Sequence, residues 1–160
     1  MIAAVQRVSR ASVSVDGGLV SEIGAGLLVL LGVAVSDTPE DAAWLARKIA
    51  GLRMFHAPDG APERSVLEVG GEVLAVSQFT LLGNCRKGRR PSFTRAAPGP
   101  EAEALYEEFC ARLRELGVPV GTGRFGAMME VSLVNDGPYT LLVTSPSESS
   151  RRGILPASRE

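Results

Sequence analysis

The sequence predicts an α+β domain whose dominant sheet is mostly antiparallel. Two observations carry that expectation. About eight stretches rich in valine, leucine and isoleucine read as strands, and two longer stretches repeat apolar residues at helical spacing. Glycine-rich turn signals separate the early strand segments. The chain has 160 residues, which suits one domain and hardly two.

Residues 2–8 and 12–15 alternate roughly, with Val5, Val8, Val13 and Val15 on the apolar side. Asp16-Gly17-Gly18 is a hairpin signal, and Leu19 to Ile23 returns as a strand. After Gly24-Ala25-Gly26, the run from Leu27 to Val33 is apolar except for Gly32. Such a run suits a central strand buried on both faces. A helix follows. Thr38 fits the N-cap, Pro39 the first helical position, and Glu40 and Asp41 the positive end of the helix dipole. Ala42, Leu45, Ile49 and Leu52 continue at helical spacing to about Arg53. Ala57 to Ala61 reads as a Pro/Gly loop, and Val73 to Phe79 as another apolar strand.

Residues 83–100 are expected to form a long loop, and long loops in compact domains are usually functional. A second helix starts near Pro100, with Ala102, Leu105, Phe109, Leu113 and Leu116 as its apolar stripe and Gly117 just past its end. Val118 to Val120 and Met128 to Val134 read as strands. Asn135-Asp136-Gly137-Pro138 reads as a turn, and Tyr139 to Thr144 as the last strand. The domain is therefore drawn over residues 1–145. Residues 146–160, rich in Ser, Pro, Arg and Glu, are expected to be a mobile polar tail.

Composition excludes several function classes. The chain is 45 % hydrophobic and 22 % charged, which is globular rather than disordered. It has no apolar run long enough for a transmembrane helix, so no membrane partner is expected. Arg7 interrupts the first apolar stretch and no basic segment precedes it, so a secretory signal is not expected. Cys85 and Cys110 form no paired motif, which leaves a cytoplasmic protein with reduced thiols as the default. His56 is the one histidine. Two-histidine metal sites are excluded within one chain, and any Ser-His-Asp mechanism would need that residue. Its surroundings, Phe55 to Gly60, read as a turn. No metal or cofactor is called for.

Net charge is −1, yet Arg86, Lys87, Arg89, Arg90 and Arg95 cluster with no acid among them. The cluster is either a solvated loop or a contact for a phosphate backbone. Gly83 and Gly88 have P-loop spacing, but the Lys-Ser/Thr pair is missing, so nucleotide triphosphate hydrolysis is rejected. Ser77-Gln78-Phe79-Thr80 stands where a strand runs into a loop. It is either a plain strand terminus or a place where free backbone N–H groups hold an oxyanion. Thr80 as a nucleophile would need a base, and none is near in sequence. Gly137-Pro138 is either an ordinary trans turn or a cis bond, which X-Pro permits.

Five stretches together are more specific. They are Val5-Gln6-Arg7-Val8-Ser9-Arg10-Ala11-Ser12-Val13; Gly70-Gly71-Glu72-Val73-Leu74 running into Ser77-Gln78-Phe79-Thr80-Leu81; Arg86-Lys87-Gly88-Arg89-Arg90-Pro91-Ser92-Phe93; Thr122-Gly123-Arg124-Phe125-Gly126; and Val134-Asn135-Asp136-Gly137-Pro138. In this order the chain resembles the D-aminoacyl-tRNA deacylase family over residues 1 to about 144. The resemblance implies a homodimer of barrel-like subunits. It implies hydrolysis of the ester joining a D-amino acid, or glycine, to the tRNA acceptor end. Ser77, Gln78, Phe79 and Thr80 would line the substrate pocket, with the Phe79 and Thr80 amides as the oxyanion hole. Gly137 and Pro138, joined by a cis bond, would reach into the partner subunit's pocket and reject L-amino acids. Catalysis would come from the tRNA 2′-hydroxyl. Arg86, Lys87, Arg89 and Arg90 would contact the tRNA. Three places depart from the family pattern: the residue after Gly-Pro, usually small and aliphatic, is Tyr139; Cys85 replaces what is usually threonine; and Glu63-Arg64 stands where the family commonly has asparagine and an apolar residue.

Overall fold

The computed structural model describes residues 1–57 and 63–147. The expected loop beyond Ala57 and all but Pro146 and Ser147 of the expected tail lie outside the described residues. Ile2–Val15 forms one long strand, β1. Exposed Ser9 and Arg10 break the alternation that suggested two strands, but they do not break the backbone. Neighbours on both edges keep it extended. Along one edge, residues Ile2 to Val8 pair antiparallel with β3 (Gly26–Gly32), and Ala11 to Val15 pair with β2 (Gly18–Ile23). Along the other edge lies the longest strand, β6 (Glu130–Thr144), also antiparallel.

Two parallel pairings complete the sheet: β4 (Glu72–Ser77) beside β3, and β5 (Val120–Thr122) beside β4. Parallel neighbours need crossover connections. Helix α1 (Pro39–Ala50) lies in the first and α2 (Gly99–Glu115) in the second. Ser21 Oγ on β2 donates to the Thr122 carbonyl on β5 at 2.8 Å, so the sheet's ends meet in a nearly closed barrel. The result is the α+β, barrel-like architecture with two helices, in a sheet that mixes antiparallel and parallel pairs.

Six strands stand among the described residues where about eight were expected. Two pairs of expected segments are single strands, β1 and β6. Asn135 to Pro138 is therefore not a turn between strands but a bulge inside β6.

The apolar run Leu27 to Leu31 is buried on both faces, as its composition predicts. Leu27, Val29 and Leu31 pack with Leu45 and Ile49 of α1 and Phe109 and Leu113 of α2. Leu28 packs the other way, with Val8, Val13, Ile23, Leu74 and Val76. Each such side chain contributes about 1.5–3 kcal/mol on burial.

Thr38 precedes α1, and its amide donates to Asp41 Oδ2 at 3.1 Å. Burial works against the Asp41 charge. Hydrogen bonds from Ser147, Ser145 and the Thr38 amide outweigh it and hold the carboxyl below its usual range. The helix stops at Ala50, short of Arg53. On α2, Tyr106 and Cys110 take the inner face alongside Ala102, Phe109 and Leu113, while Leu116 stays 39 % exposed. The expected stripe was thus rotated slightly. Burial raises the Cys110 thiol to about 11, which leaves it protonated at neutral pH.

Gly26 marks the closest strand approach, because a Cβ there would lie 2.0 Å from the Glu72 carbonyl oxygen. Gly26→Ala must push β4 away from β3. It is expected to cost at least about 1–3 kcal/mol, seen as a lowered thermal midpoint; an unchanged midpoint would show that the pair yields freely.

Candidate active site

The site begins where β4 ends. Gln78 N–H donates to the Leu31 carbonyl at 2.7 Å, one step past the strand. The chain then tightens into a 3-10 turn, Phe79–Leu82, so the apolar strand stops at Ser77 rather than Phe79. Leu82, 1 % exposed, anchors that turn in a small apolar cluster with Ile2 and Ala34. The first amides of a helical turn have no partner inside it. Among the described residues, the Phe79 and Thr80 amides donate to no backbone carbonyl outside the turn. Gln78 Nε2 donates to Thr80 Oγ1, which engages that hydroxyl with a neighbouring side chain.

Beside this turn lies a cavity of about 450 Å³. Ser77, Gln78 and Phe79 line it together with residues that include Tyr106, Phe125 and Met129. Among the described residues, its lining holds no Asp, Glu, His, Lys, Arg or Cys. The one titratable group, the Tyr106 phenol, donates to the Ala75 carbonyl at 2.9 Å. Burial pushes its pKa well above the ordinary tyrosine value. The walls can exclude water and present hydrogen bonds, but they offer no side chain suited to take a proton near neutral pH. His56 is exposed on its loop and does not line the cavity.

The basic loop adjoins the cavity. Asn84 and Ser92 exchange backbone hydrogen bonds at 2.8 and 3.0 Å, closing a loop that presents exposed Arg86, Lys87, Arg89 and Arg90. Phe93 follows directly and meets the Phe79 ring edge to face at 5.1 Å. The cationic loop is therefore braced against the residue that rims the cavity.

Thr80, Gly137 and Pro138 do not line this cavity. The Gly137–Pro138 peptide is cis, and both residues are exposed. They sit in the β6 bulge. Gln6 pairs with Thr140 and Val8 with Asn135, so Asp136 to Tyr139 stand opposite Arg7 alone. Arg7 Nε donates to the Asp136 carbonyl at 3.0 Å and lies 3.2 Å from its Oδ2. Nη1 donates to the Met54 carbonyl. Arg7 is only 4 % exposed.

Arg7 and Tyr106 are not among the site residues expected from the sequence. A signal existed for Arg7: a cation inside an otherwise apolar, alternating strand must find buried partners. Tyr106 gave none, since its neighbour Leu105 fitted the apolar stripe better.

A neutral cavity beside a strand-end turn, with a cationic loop braced against its rim, on a nearly closed barrel, makes up the candidate site among the described residues. The chain belongs to the D-Tyr-tRNA(Tyr) deacylase family, whose model matches residues 4–144. It is 57 % identical to the D-aminoacyl-tRNA deacylase of Geobacter sulfurreducens over 150 residues, covering 94 % of this chain and 99 % of that protein. It is also 57 % identical to the Thermus aquaticus D-aminoacyl-tRNA deacylase over 152 residues, covering 95 % and 100 %. Among solved structures, one titled c-Myc DNA Unwinding Element Binding Protein superposes with a TM-score of 0.86 at 44 % identity, covering 91 % of this chain and 99 % of that one. A probable eukaryotic D-amino acid tRNA deacylase shares the fold, with a TM-score of 0.75 at 20 % identity over 89 % of this chain and 97 % of that one.

Gly137 has φ +132°, and a Cβ there would lie 2.8 Å from Arg7 Nη2. Gly137→Ala is expected to destabilise the protein by roughly 1–3 kcal/mol. Chemical denaturation checks this; parent-like stability would mean that the bulge relaxes around the methyl.

Proposed function

We propose that this protein hydrolyses the ester of D-aminoacyl-tRNA, releasing the D-amino acid and free tRNA, in the cytoplasm. Family membership and near-complete coverage by deacylases support the activity. The observation that supports the mechanism is the pairing of the Phe79–Leu82 turn, whose first amides donate to no backbone carbonyl outside it, with an adjoining cavity whose lining among the described residues offers no side chain suited as a base. The general base must then come from the substrate. The ribose 2′-hydroxyl next to the ester activates water, which adds to the carbonyl carbon. The bond to the ribose oxygen breaks and the proton passes to that oxygen. The Phe79 and Thr80 amides hold the developing negative charge. Ser77, Gln78, Phe79 and Thr80 bind the aminoacyl end.

Gly137 and Pro138 are exposed and do not line the cavity of their own chain, which fits a role in the pocket of a second copy. Apolar exposure along β6 supports the same dimer: Leu133 is 37 % exposed, Val134 41 % and Leu142 68 %. In that arrangement the Gly137 and Pro138 carbonyls take the substrate ammonium and leave no room for an L side chain. Glycine, having no side chain, is hydrolysed too. The tRNA phosphates lie on Arg86, Lys87, Arg89 and Arg90.

Matched D- and L-aminoacyl-tRNA test the reading. The D ester should be lost and the L ester spared, in a species sedimenting at about twice 16.8 kDa. Equal loss of both, or a fully active monomer, would contradict it.

The mechanism separates two substitutions. Thr80→Ala keeps the backbone amides and should lose no more than about tenfold in kcat/KM, roughly 1.4 kcal/mol. A substrate ending in 2′-deoxyadenosine should be nearly inert. The reverse pattern would make Thr80 the nucleophile.

Binding should weaken with salt, the log of affinity falling by roughly 0.7–0.9 per phosphate contacted for each log unit of salt. Changing Arg86, Lys87, Arg89 and Arg90 to Gln should flatten that slope; an identical slope would remove the loop from the interface.

A further inference from the structure

We propose that Tyr139 is a positioning residue: its ring caps the Arg7 guanidinium and thereby fixes the Gly137 carbonyl that reads the substrate's configuration. The inference rests on the stereochemical reading above and adds to it a residue where the family pattern has a small aliphatic one.

The geometry runs through Arg7. Its Nε holds the Asp136 carbonyl, its Nη1 donates to the Met54 carbonyl, and its Nη2 faces Gly137 with no space for a methyl between them. These contacts hold the guanidinium by its N–H edge, and restraint on its face comes from the side chains packed there. The Tyr139 ring supplies that restraint, with its centroid 5.2 Å from Arg7 Cζ. A cation over an aromatic face is attracted by the ring quadrupole, more strongly where water is excluded. Here Arg7 is buried and Tyr139 is half-buried.

The backbone that carries the ring is itself tied down. Tyr139 N–H donates to Asn135 Oδ1 at 2.9 Å, and Asn135 Nδ2 donates to Thr140 Oγ1 at 2.9 Å. Gln6 Nε2 on β1 donates to the same Thr140 oxygen at 3.1 Å. The two ends of the bulge are thus tied to each other and to β1. Inside it, Arg7 holds the Asp136 carbonyl through Nε and lies against Gly137, with the Tyr139 ring near its Cζ. An aliphatic side chain at 139 would leave one guanidinium face open to water and free to tilt. The Gly137 carbonyl would then sample more than one direction.

The test uses the full chain with Tyr139→Leu and Tyr139→Phe, each given the same tRNA charged with a D- or an L-amino acid. Tyr139→Leu should raise KM for the D ester and narrow the D-over-L preference by about tenfold, with kcat nearly unchanged. Tyr139→Phe keeps the ring and should restore both. An unchanged preference in Tyr139→Leu overturns the proposal. So does a Phe variant that fails alongside Leu, since that would assign the effect to the hydroxyl. Tyr139→Val provides a second aliphatic variant if Leu does not fold. A readout independent of activity is the Arg7 Nε–H NMR resonance. It should shift and exchange faster in the Leu variant and stay in place in the Phe variant; no change in Leu overturns the capping itself. A parent enzyme that fails to distinguish D from L would refute the stereochemical reading, and the NMR comparison would still decide whether the ring seats Arg7.

Discussion

Most of this molecule depends on β1 being hydrogen-bonded along both edges. Its first half pairs with β3 and its second with β2, while β6 runs along the opposite side. Register is therefore set twice for β6. The segment 140–144 is tied to residues 2–6, and the segment 130–135 to residues 8–14. A strand fixed at both ends can place surplus residues only by bulging between them. Four residues of β6 accordingly stand opposite one residue of β1, and that residue is Arg7. The exposed Gly137–Pro138 projection follows from this pairing and not from a loop between strands.

A buried arginine is costly unless its hydrogen-bonding groups and its charge find partners. Arg7 finds them in two backbone carbonyls, one carboxylate and one aromatic face. Asp136 is 60 % exposed at its side chain, so this ion pair remains partly solvated and avoids much of the penalty of a fully dry one. The same contacts that make the charge tolerable hold the bulge in shape. Stability of the charge and geometry of the projection are one interaction.

The cavity obeys a different logic. Its walls come from the ends of β3 and β4, the start of α2 and the segment before β6. The parallel β3–β4 pairing carries Gln78 up to the Leu31 carbonyl, and the 3-10 turn then exposes the Phe79 and Thr80 amides. In the proposed reading, a cavity whose described lining offers no base and whose neighbouring turn carries unpaired amides favours charge stabilisation over proton transfer. The Phe79–Phe93 contact sets the cationic loop beside that cavity. In the proposed reading, one brace aligns the polyanionic part of the substrate with its reactive ester.

Local chemistry alone determined a good deal. The unbroken run Leu27 to Leu31 required a strand buried on both faces, Thr38-Pro39 set the start of α1, and the Arg86–Arg90 cluster marked an exposed loop. Each depends on residues adjacent in the chain. Ser77 to Phe79 also pointed to the site, because a strand end leaves backbone donors free. Tertiary structure decided the rest. Asn135 to Pro138 has turn chemistry, but pairing with β1 on both sides made it a bulge. Leu105 fitted the helical stripe and packs partly buried against the core, but packing on the sheet also took in Tyr106 and Cys110, which the stripe did not include. The meaning of Arg7 appeared only when Asp136, 129 positions away in sequence, met it across the sheet. Side-chain types report local preference, whereas register between distant strands is set by the simultaneous satisfaction of hydrogen bonds and packing over the whole sheet.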